Sequence, residues 1–249
     1  MRLAGLTKVT AVASGWDFTL ALQADGTVWA WGGNSYSQLG DSSRATPHPR
    51  PAQVRNLAEG VAIAAGEFHA LALRHDGTVS AWGWNDTGQV GDGSTTHRYA
   101  PVQVPGFSGV TAISAGDNHS VALKDDGTVW AWGFDDFGQL GDSSDRNRLL
   151  LAPTRVPGLS GIVAIASAMH TTVALRRDGT VWTCGENYYG QLGDGSTTDR
   201  STPVQVPGLS GIAAISAGGY HTAALRNDGT VWEWGLDDAG QLGVDLPPR

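Results

Sequence analysis

The chain is written in short runs in which apolar and small residues alternate, each run ended by Gly, Asp or Pro. In the run from His69 to Arg74, His69, Leu71 and Leu73 fall on one side of an extended strand and Ala70 and Ala72 on the other. Both sides are apolar or small. That pattern predicts a sheet sandwiched between neighbouring sheets, with Ala and Gly permitting close approach on one face and Leu or Trp filling the other. A lead-in from Val61 to Gly66 precedes the run and a segment from Thr78 to Gly83 follows it, joined through Asp76-Gly77, which supplies the positive φ of a tight hairpin. A fourth extended segment is expected at Pro-x-x-Val: Pro51 to Val54, Pro101 to Val104, Pro153 to Val156 and Pro203 to Val206. Helices are not expected, because Gly is 35 of 249 residues and no window holds apolar residues at three-to-four spacing over three turns.

The same four-segment sentence recurs. Asp-Gly-Thr-Val begins at Asp25, Asp76, Asp126, Asp178 and Asp228, so successive copies lie 50 to 52 residues apart. A period near 50 with four strands per unit predicts an all-β propeller of four-stranded blades. The chain is expected to form a single domain over 1–249, with repeats at about 9–58, 59–108, 109–159, 160–209 and 210–249. The fifth repeat stops at Asp245-Leu-Pro-Pro-Arg249 without its Pro-x-x-Val segment, while Leu3-Ala4-Gly5-Leu6 aligns with Val206-Pro207-Gly208-Leu209. Closure is therefore expected to be shared by the two termini, residues 1–8 completing the last blade; an open arc of a larger propeller is the alternative.

The string Gly-x-x-His-x-x-Ala-Leu-x-x-Asp-Gly-x-Val-x-x-Trp-Gly-x-Asn-x-x-Gly-Gln-Leu-Gly resembles the repeat of the regulator of chromosome condensation family of β-propellers. The resemblance covers essentially the whole chain. It implies the propeller fold, commonly seven blades where five repeats are present here, and it says little about activity. It also brings in guanine nucleotide exchange on a small GTPase, known of a chromatin-bound eukaryotic relative, as a third functional reading.

Charge narrows the partners. With 16 Lys+Arg against 24 Asp+Glu, the net charge is -8, the wrong sign for contact with phosphate backbones, so no nucleic acid is expected. No run of about 18 apolar residues is present, so no membrane is expected either. The chain as written reads as cytoplasmic, or as secreted if a signal peptide has been removed. Its one cysteine, Cys184, stands where other repeats have Trp31, Trp82, Trp132 and Trp234, which predicts burial and the loosest blade interface.

Three sets of positions could carry chemistry. His69, His119 and His221 share one column, with Phe18 and Thr171 in the other two repeats. Near a channel mouth they could act as bases or hold a metal, or each could be a repeat-structural device. The loop after Trp-Gly is where the copies disagree, and loops carry function while strands carry scaffold. Tyr36, Trp84, Phe134, Phe137, Tyr188 and Tyr189 project from it and are the candidate partner-binding anchors. The same loops hold Asp135, Asp136, Asp237 and Asp238, candidate Ca²⁺ ligands that lack the alternating Asp spacing of a calcium loop and could equally be turn formers.

The leading expectation is a protein-binding propeller presenting aromatic and acidic loops on one face. The alternative is a Ca²⁺-dependent hydrolase of lactones or esters, although no nucleophile elbow, His-Glu-x-x-His or phosphate loop is present.

Overall fold

A computed structural model of the chain describes residue 3 and residues 5–43, 47–143 and 148–243. The described residues form nineteen strands in five antiparallel sheets laid out in sequence order. The first blade is β1 (Val9–Ser14), β2 (Phe18–Gln23), β3 (Val28–Gly32) and β4 (His48–Gln53). The second is β5 (Gly60–Ala65), β6 (His69–Arg74), β7 (Val79–Gly83) and β8 (Arg98–Gln103). The third holds β9 (Val110–Ala115), β10 (His119–Lys124), β11 (Val129–Phe134) and β12 (Leu149–Arg155). The fourth holds β13 (Ile162–Ala168), β14 (Thr171–Arg176), β15 (Val181–Gly185) and β16 (Arg200–Gln205). The fifth has β17 (Ile212–Ala217), β18 (His221–Arg226) and β19 (Val231–Gly235). The all-β propeller of five repeats is thus the observed fold, and among the described residues no helix is long and apolar enough to cross a membrane.

The hairpin register follows from the Asp-Gly turns. Asp76 Oδ1 accepts from the Thr78 N–H at 2.9 Å and from its hydroxyl at 2.6 Å, and Gly77 takes φ 76°, so β6 and β7 pair from His69 opposite Gly83 to Leu73 opposite Val79. The other four copies of the turn make the same side-chain bonds.

Blades lock to one another through the Gly-Gln-Leu-Gly segment. The indole Nε1 of Trp82, Trp132 and Trp234 each donates at 2.9 Å to the carbonyl of the glutamine one blade earlier, Gln38, Gln89 and Gln191. The final glycine is required there: a Cβ on Gly91 would sit 2.6 Å from Trp132 Nε1. In the fourth blade Cys184 replaces the indole and stays buried, its thiol 3.6 Å from the Gln139 carbonyl, and Pro203 crowds in beside it. Around these locks Leu71, Val79, Val121, Val129 and Leu140 are fully buried between sheets, as the two-sided apolar strands require.

Among the described residues the first and fifth blades do not pack on each other as neighbouring blades do. Inner strands touch in order, β1 with β5, β5 with β9, β9 with β13 and β13 with β17, and no comparable contact joins β17–β19 to the first blade among the described residues. Val231 is 63 % exposed where its counterparts Val129 and Val181 are 0 % exposed. At the other end Val12 and Trp16 are exposed. The fifth sheet stops at three strands among the described residues. The lead-in expected to complete it is not strand from Leu6 to Lys8, and the Lys8 carbonyl, accepting from Ala24 N–H at 2.9 Å, ties it to the first blade; residues 1, 2 and 4 lie outside the described residues.

Candidate protein-binding face

The variable loops hang on a constant frame. In each repeat one side chain after Trp-Gly, or after Cys184-Gly185 in the fourth, closes the loop by accepting a backbone N–H five residues on: Asn34 from Leu39 (3.1 Å), Asn85 from Val90 (2.9 Å), Asp135 from Leu140 (2.9 Å), Asn187 from Leu192 (3.0 Å) and Asp237 from Leu242 (2.9 Å). Asn187 Nδ2 also donates to Asp194 Oδ1 and to the Ser196 and Thr198 carbonyls, each at 3.1 Å. Asp194 in turn pairs with Arg200 at 2.7 Å, as Asp92 pairs with Arg98. The motif glutamine pins the residue two positions before it, Gln38 Oε1 accepting from Tyr36 N–H and Gln191 Oε1 from Tyr189 N–H, both at 2.9 Å. Backbone is fixed; side chains are free to differ.

Those side chains meet across blade boundaries. Tyr36 of the first blade packs on Phe68 of the second at 4.9 Å between ring centroids, with Trp84 at 5.8 Å from Tyr36. Phe137 of the third stacks on His170 of the fourth at 4.7 Å and 18°, with Phe134 5.8 Å from the same imidazole. Tyr189 of the fourth packs on Tyr220 of the fifth at 4.9 Å, and Tyr188 stands edge-on to Tyr189 at 4.9 Å. Where the loop residue is Thr87, its opposite number is Asn118 and the contact is a 3.5 Å hydrogen bond. All six candidate anchors therefore line one rim, in three clusters. Tyr188 is 72 % exposed; Trp84, Phe134 and Phe137 are half-buried against their neighbours.

Beside the rim lies the axial channel. A cavity of about 280 Å³ is lined by the inner-strand ends of all five blades, among them Trp16, Glu67, Asp117, Met169 and Gly219. Backbone bonds run around it: Trp16 N–H to the Glu67 carbonyl (3.1 Å), Glu67 N–H to Asp117 (3.2 Å) and Asp117 N–H to Met169 (3.0 Å). Burial raises the Glu67 carboxyl above its ordinary range and Asp117 raises it further; burial likewise raises Asp117. Glu186 is raised by burial, then by Asp199 and Asp117. No ion pair to these three carboxylates is found among the described residues.

The candidate catalytic and metal residues sit otherwise than expected. His69 and His119 are fully buried and do not reach the channel surface; each bridges to the next blade, His69 Nε2 to Ser120 Oγ at 3.0 Å and His119 Nε2 to Thr172 Oγ1 at 3.1 Å. Those hydroxyls spend their protons on the Gln89 and Gln139 carbonyls at 2.8 Å, so each imidazole donates through Nε2–H. Each ring lies over a glycine, since a Cβ on Gly66 or Gly116 would fall 2.2 Å from the ring. Burial drags both down to about 3, keeping them neutral. They are bolts between blades, without access to substrate. His221, half-buried in the last blade, has no such hydroxyl beyond it among the described residues. The candidate Ca²⁺ set is likewise dispersed: Asp135 and Asp237 are the loop-closing acceptors of different blades, Asp238 accepts from Gln241 at 3.3 Å, and Asp136 lies beside His170. Among the described residues no three His, Cys, Asp or Glu side chains converge in a metal-holding group. Loop closure accounts for Asp135 and Asp237.

Missed in the sequence was the pairing of columns. Ser120 and Thr172 follow the histidines by one blade and one position, and where the first blade has Phe18 the second has Ala70, packed in the same cluster.

Comparison with known proteins agrees with this architecture. Human HERC2, an E3 ubiquitin-protein ligase, is 43% identical over 91 residues, 35% of this chain and 2% of that protein. Mitochondrial RUG3 of Arabidopsis thaliana, an RCC1 domain-containing protein, is 39% identical over 92 residues, 34% of this chain and 20% of that protein. The chain thus spans a small part of the curated relatives it matches. Among solved structures, human WBSCR16 superposes with a TM-score of 0.84 at 26% identity, over 94% of this chain and 64% of the other. Prp20p of Saccharomyces cerevisiae, described with its binding to Gsp1p and histones, gives 0.74 at 22% identity, over 95% of this chain and 74% of the other. The RCC1-like domain model matches residues 2–247, and the chain belongs to that family.

Proposed function

We propose that this chain is a protein-binding propeller whose rim receives a partner bearing basic residues. The observation that carries the reading is the juxtaposition of Asp117 with Glu67 and Glu186, both of which are raised by burial first and by the Asp117 charge as well, without an ion pair among the described residues, and with exposed aromatic rings. A cation entering there relieves that repulsion, and rings such as Tyr188 supply area at low entropic cost. Tyr36, Trp84, Phe134, Phe137 and Tyr189 frame the same surface. Protein partners named for a relative, Gsp1p and histones for Prp20p, support the class and not the identity.

The test uses fluorescently labelled peptides, one Lys/Arg-rich and one Glu-rich, titrated by anisotropy at low and physiological salt. The basic peptide should bind, weaken with salt, and weaken at least about tenfold in E67Q/D117N/E186Q and in Y188A, variants whose melting should stay near that of the parent. Equal affinity for both peptides, or binding indifferent to all four substitutions, sinks the reading.

A further inference from the structure

In the second and fourth blades the start of the outer strand is clasped to the loop before it. Arg98 lies opposite Gly83 and Arg200 opposite Gly185, and each guanidinium ties an aspartate and a serine of its own loop. Arg98 Nη2 donates to Ser94 Oγ at 3.1 Å beside its pair with Asp92, and Arg200 Nη2 donates to Ser196 Oγ at 3.4 Å beside its pair with Asp194. The serine proton is spent on the aspartate, Ser94 Oγ donating to Asp92 Oδ1 at 2.8 Å and Ser196 Oγ to Asp194 Oδ1 at 2.7 Å. These are closed clasps, because a guanidinium has no acceptor for a proton.

The first blade carries the same aspartate and serine, Asp41 and Ser43, but the residue opposite Gly32 is His48. The bonds rearrange accordingly. Asp41 Oδ2 lies 3.1 Å from His48 Nδ1 and His48 Nε2 lies 3.3 Å from Ser43 Oγ, so the carboxylate holds the proton on Nδ1 and leaves the Nε2 lone pair facing the hydroxyl. Asp41 Oδ1 accepts the Ser43 N–H at 2.8 Å, which fixes the serine against the same carboxylate. Asn34, buried and pinned through its Oδ1 by the Leu39 N–H, donates from Nδ2 to Ser43 Oγ at 3.1 Å, where charge gathers when that oxygen loses its proton. Carboxylate, imidazole and hydroxyl thus stand in the order of an orienting group, a base and the nucleophile it activates. Ser43 and His48 face a cavity of about 800 Å³ lined by Ala52, Val54, Leu57 and Ala58, within the size range of small-molecule sites.

We propose that Ser43 is the nucleophile of an esterase site, with His48 as its general base and Asp41 as the carboxylate that orients the imidazole, acting on esters of short apolar acyl groups. Ser43 Oγ bonds to the acyl carbon as its proton passes to His48 Nε2; the ester C–O bond breaks and the leaving oxygen takes that proton. Water then attacks the Ser43 acyl ester, His48 takes a proton from the water and returns it to Ser43 Oγ, and a carboxylic acid leaves. This activity is additional to partner binding and does not rest on it.

The decisive variant is His48→Arg, which installs the clasp of the second and fourth blades and removes the base. The whole chain is treated with a fluorophosphonate probe, the modified residue is mapped by mass spectrometry, and turnover of p-nitrophenyl butyrate is followed. The parent should carry the phosphonate on Ser43 and hydrolyse the ester. His48→Arg and Ser43→Ala should melt with the parent and lose at least about a hundredfold in both phosphonate labelling and ester turnover. Ser43 labelling and turnover as fast in His48→Arg as in the parent, phosphonate spread over other serines, or a parent that neither takes the label nor hydrolyses the ester above the buffer rate overturns the proposal.

Discussion

Two buried neutral histidines make the stability of this propeller depend on pH in a way that can be worked out beforehand. Unfolded, each imidazole has its ordinary value of 6.5; folded, His69 and His119 are held down at about 3 by burial. Between those values the unfolded chain binds protons that the folded chain refuses, so stability is whole above pH 6.5 and is lost as pH falls toward 3. From pH 7 to pH 5 the loss is about 2 kcal/mol per histidine and about 4 kcal/mol for the pair, and any folded value below 4 gives the same figure. The raised carboxylates Glu67, Asp117 and Glu186 act in the opposite sense, gaining stability as pH falls, which is why the comparison must be with a variant rather than with theory. Phenylalanine is the natural replacement, because Phe18 already occupies this column, buried over Gly15. His69→Phe/His119→Phe gives up two hydrogen bonds, each about 1 kcal/mol, at pH 7. Urea unfolding at pH 7 and pH 5 should therefore show the double variant weaker at pH 7 yet nearly flat in its histidine contribution, recovering about 4 kcal/mol of the parent's acid loss. If parent and variant lose the same stability between the two pH values, the imidazoles are not buried bolts.

Other expectations follow from the same packing. Trp132→Ala removes a fully buried indole and its bond to the Gln89 carbonyl and should cost about 3–5 kcal/mol in urea unfolding; a loss below about 1 kcal/mol would show that the indole does not hold the second and third blades together. Asn187→Ala strands the buried Leu192 N–H and should cost about 1–3 kcal/mol by the same measurement, with no loss meaning that the loop is closed by other groups. Amide exchange should be fastest in β17–β19, whose outer face is open at Val231, and slowest in the second and third blades; uniform protection would contradict that exposure.

Much of this fold is legible because a propeller repeats its reasons. Alternation in His69–Arg74, the Asp-Gly turns and the Pro-x-x-Val segments each report a local contact, and strands stand where those signals fall. What the chain hides is contact between repeats. The bond from His69 to Ser120 spans 51 residues and that from Trp132 to Gln89 spans 43, so neither residue looks special in its own repeat. The histidines read as chemistry because their hydroxyl partners lie one blade on; reading Phe18 with Ala70 and His69 with Ser120 as linked columns would have revealed the bolt. The aspartates misled for a related reason, since Asp135 and Asp237 replace an asparagine that needs only its acceptor oxygen to close the loop. The rim aromatics are visible as variation, but that variation is also matched between neighbours, Tyr36 with Phe68 and Tyr189 with Tyr220.

The most direct test of the central claim is a hydrogen-exchange footprint of the chain with the Lys/Arg-rich peptide bound. Protection confined to the channel mouth around Glu67 and Asp117 and to the loop from Glu186 to Tyr189 is the result this account requires. Protection centred instead on the outer strands β4, β8, β12 and β16, with the rim unchanged, would contradict it.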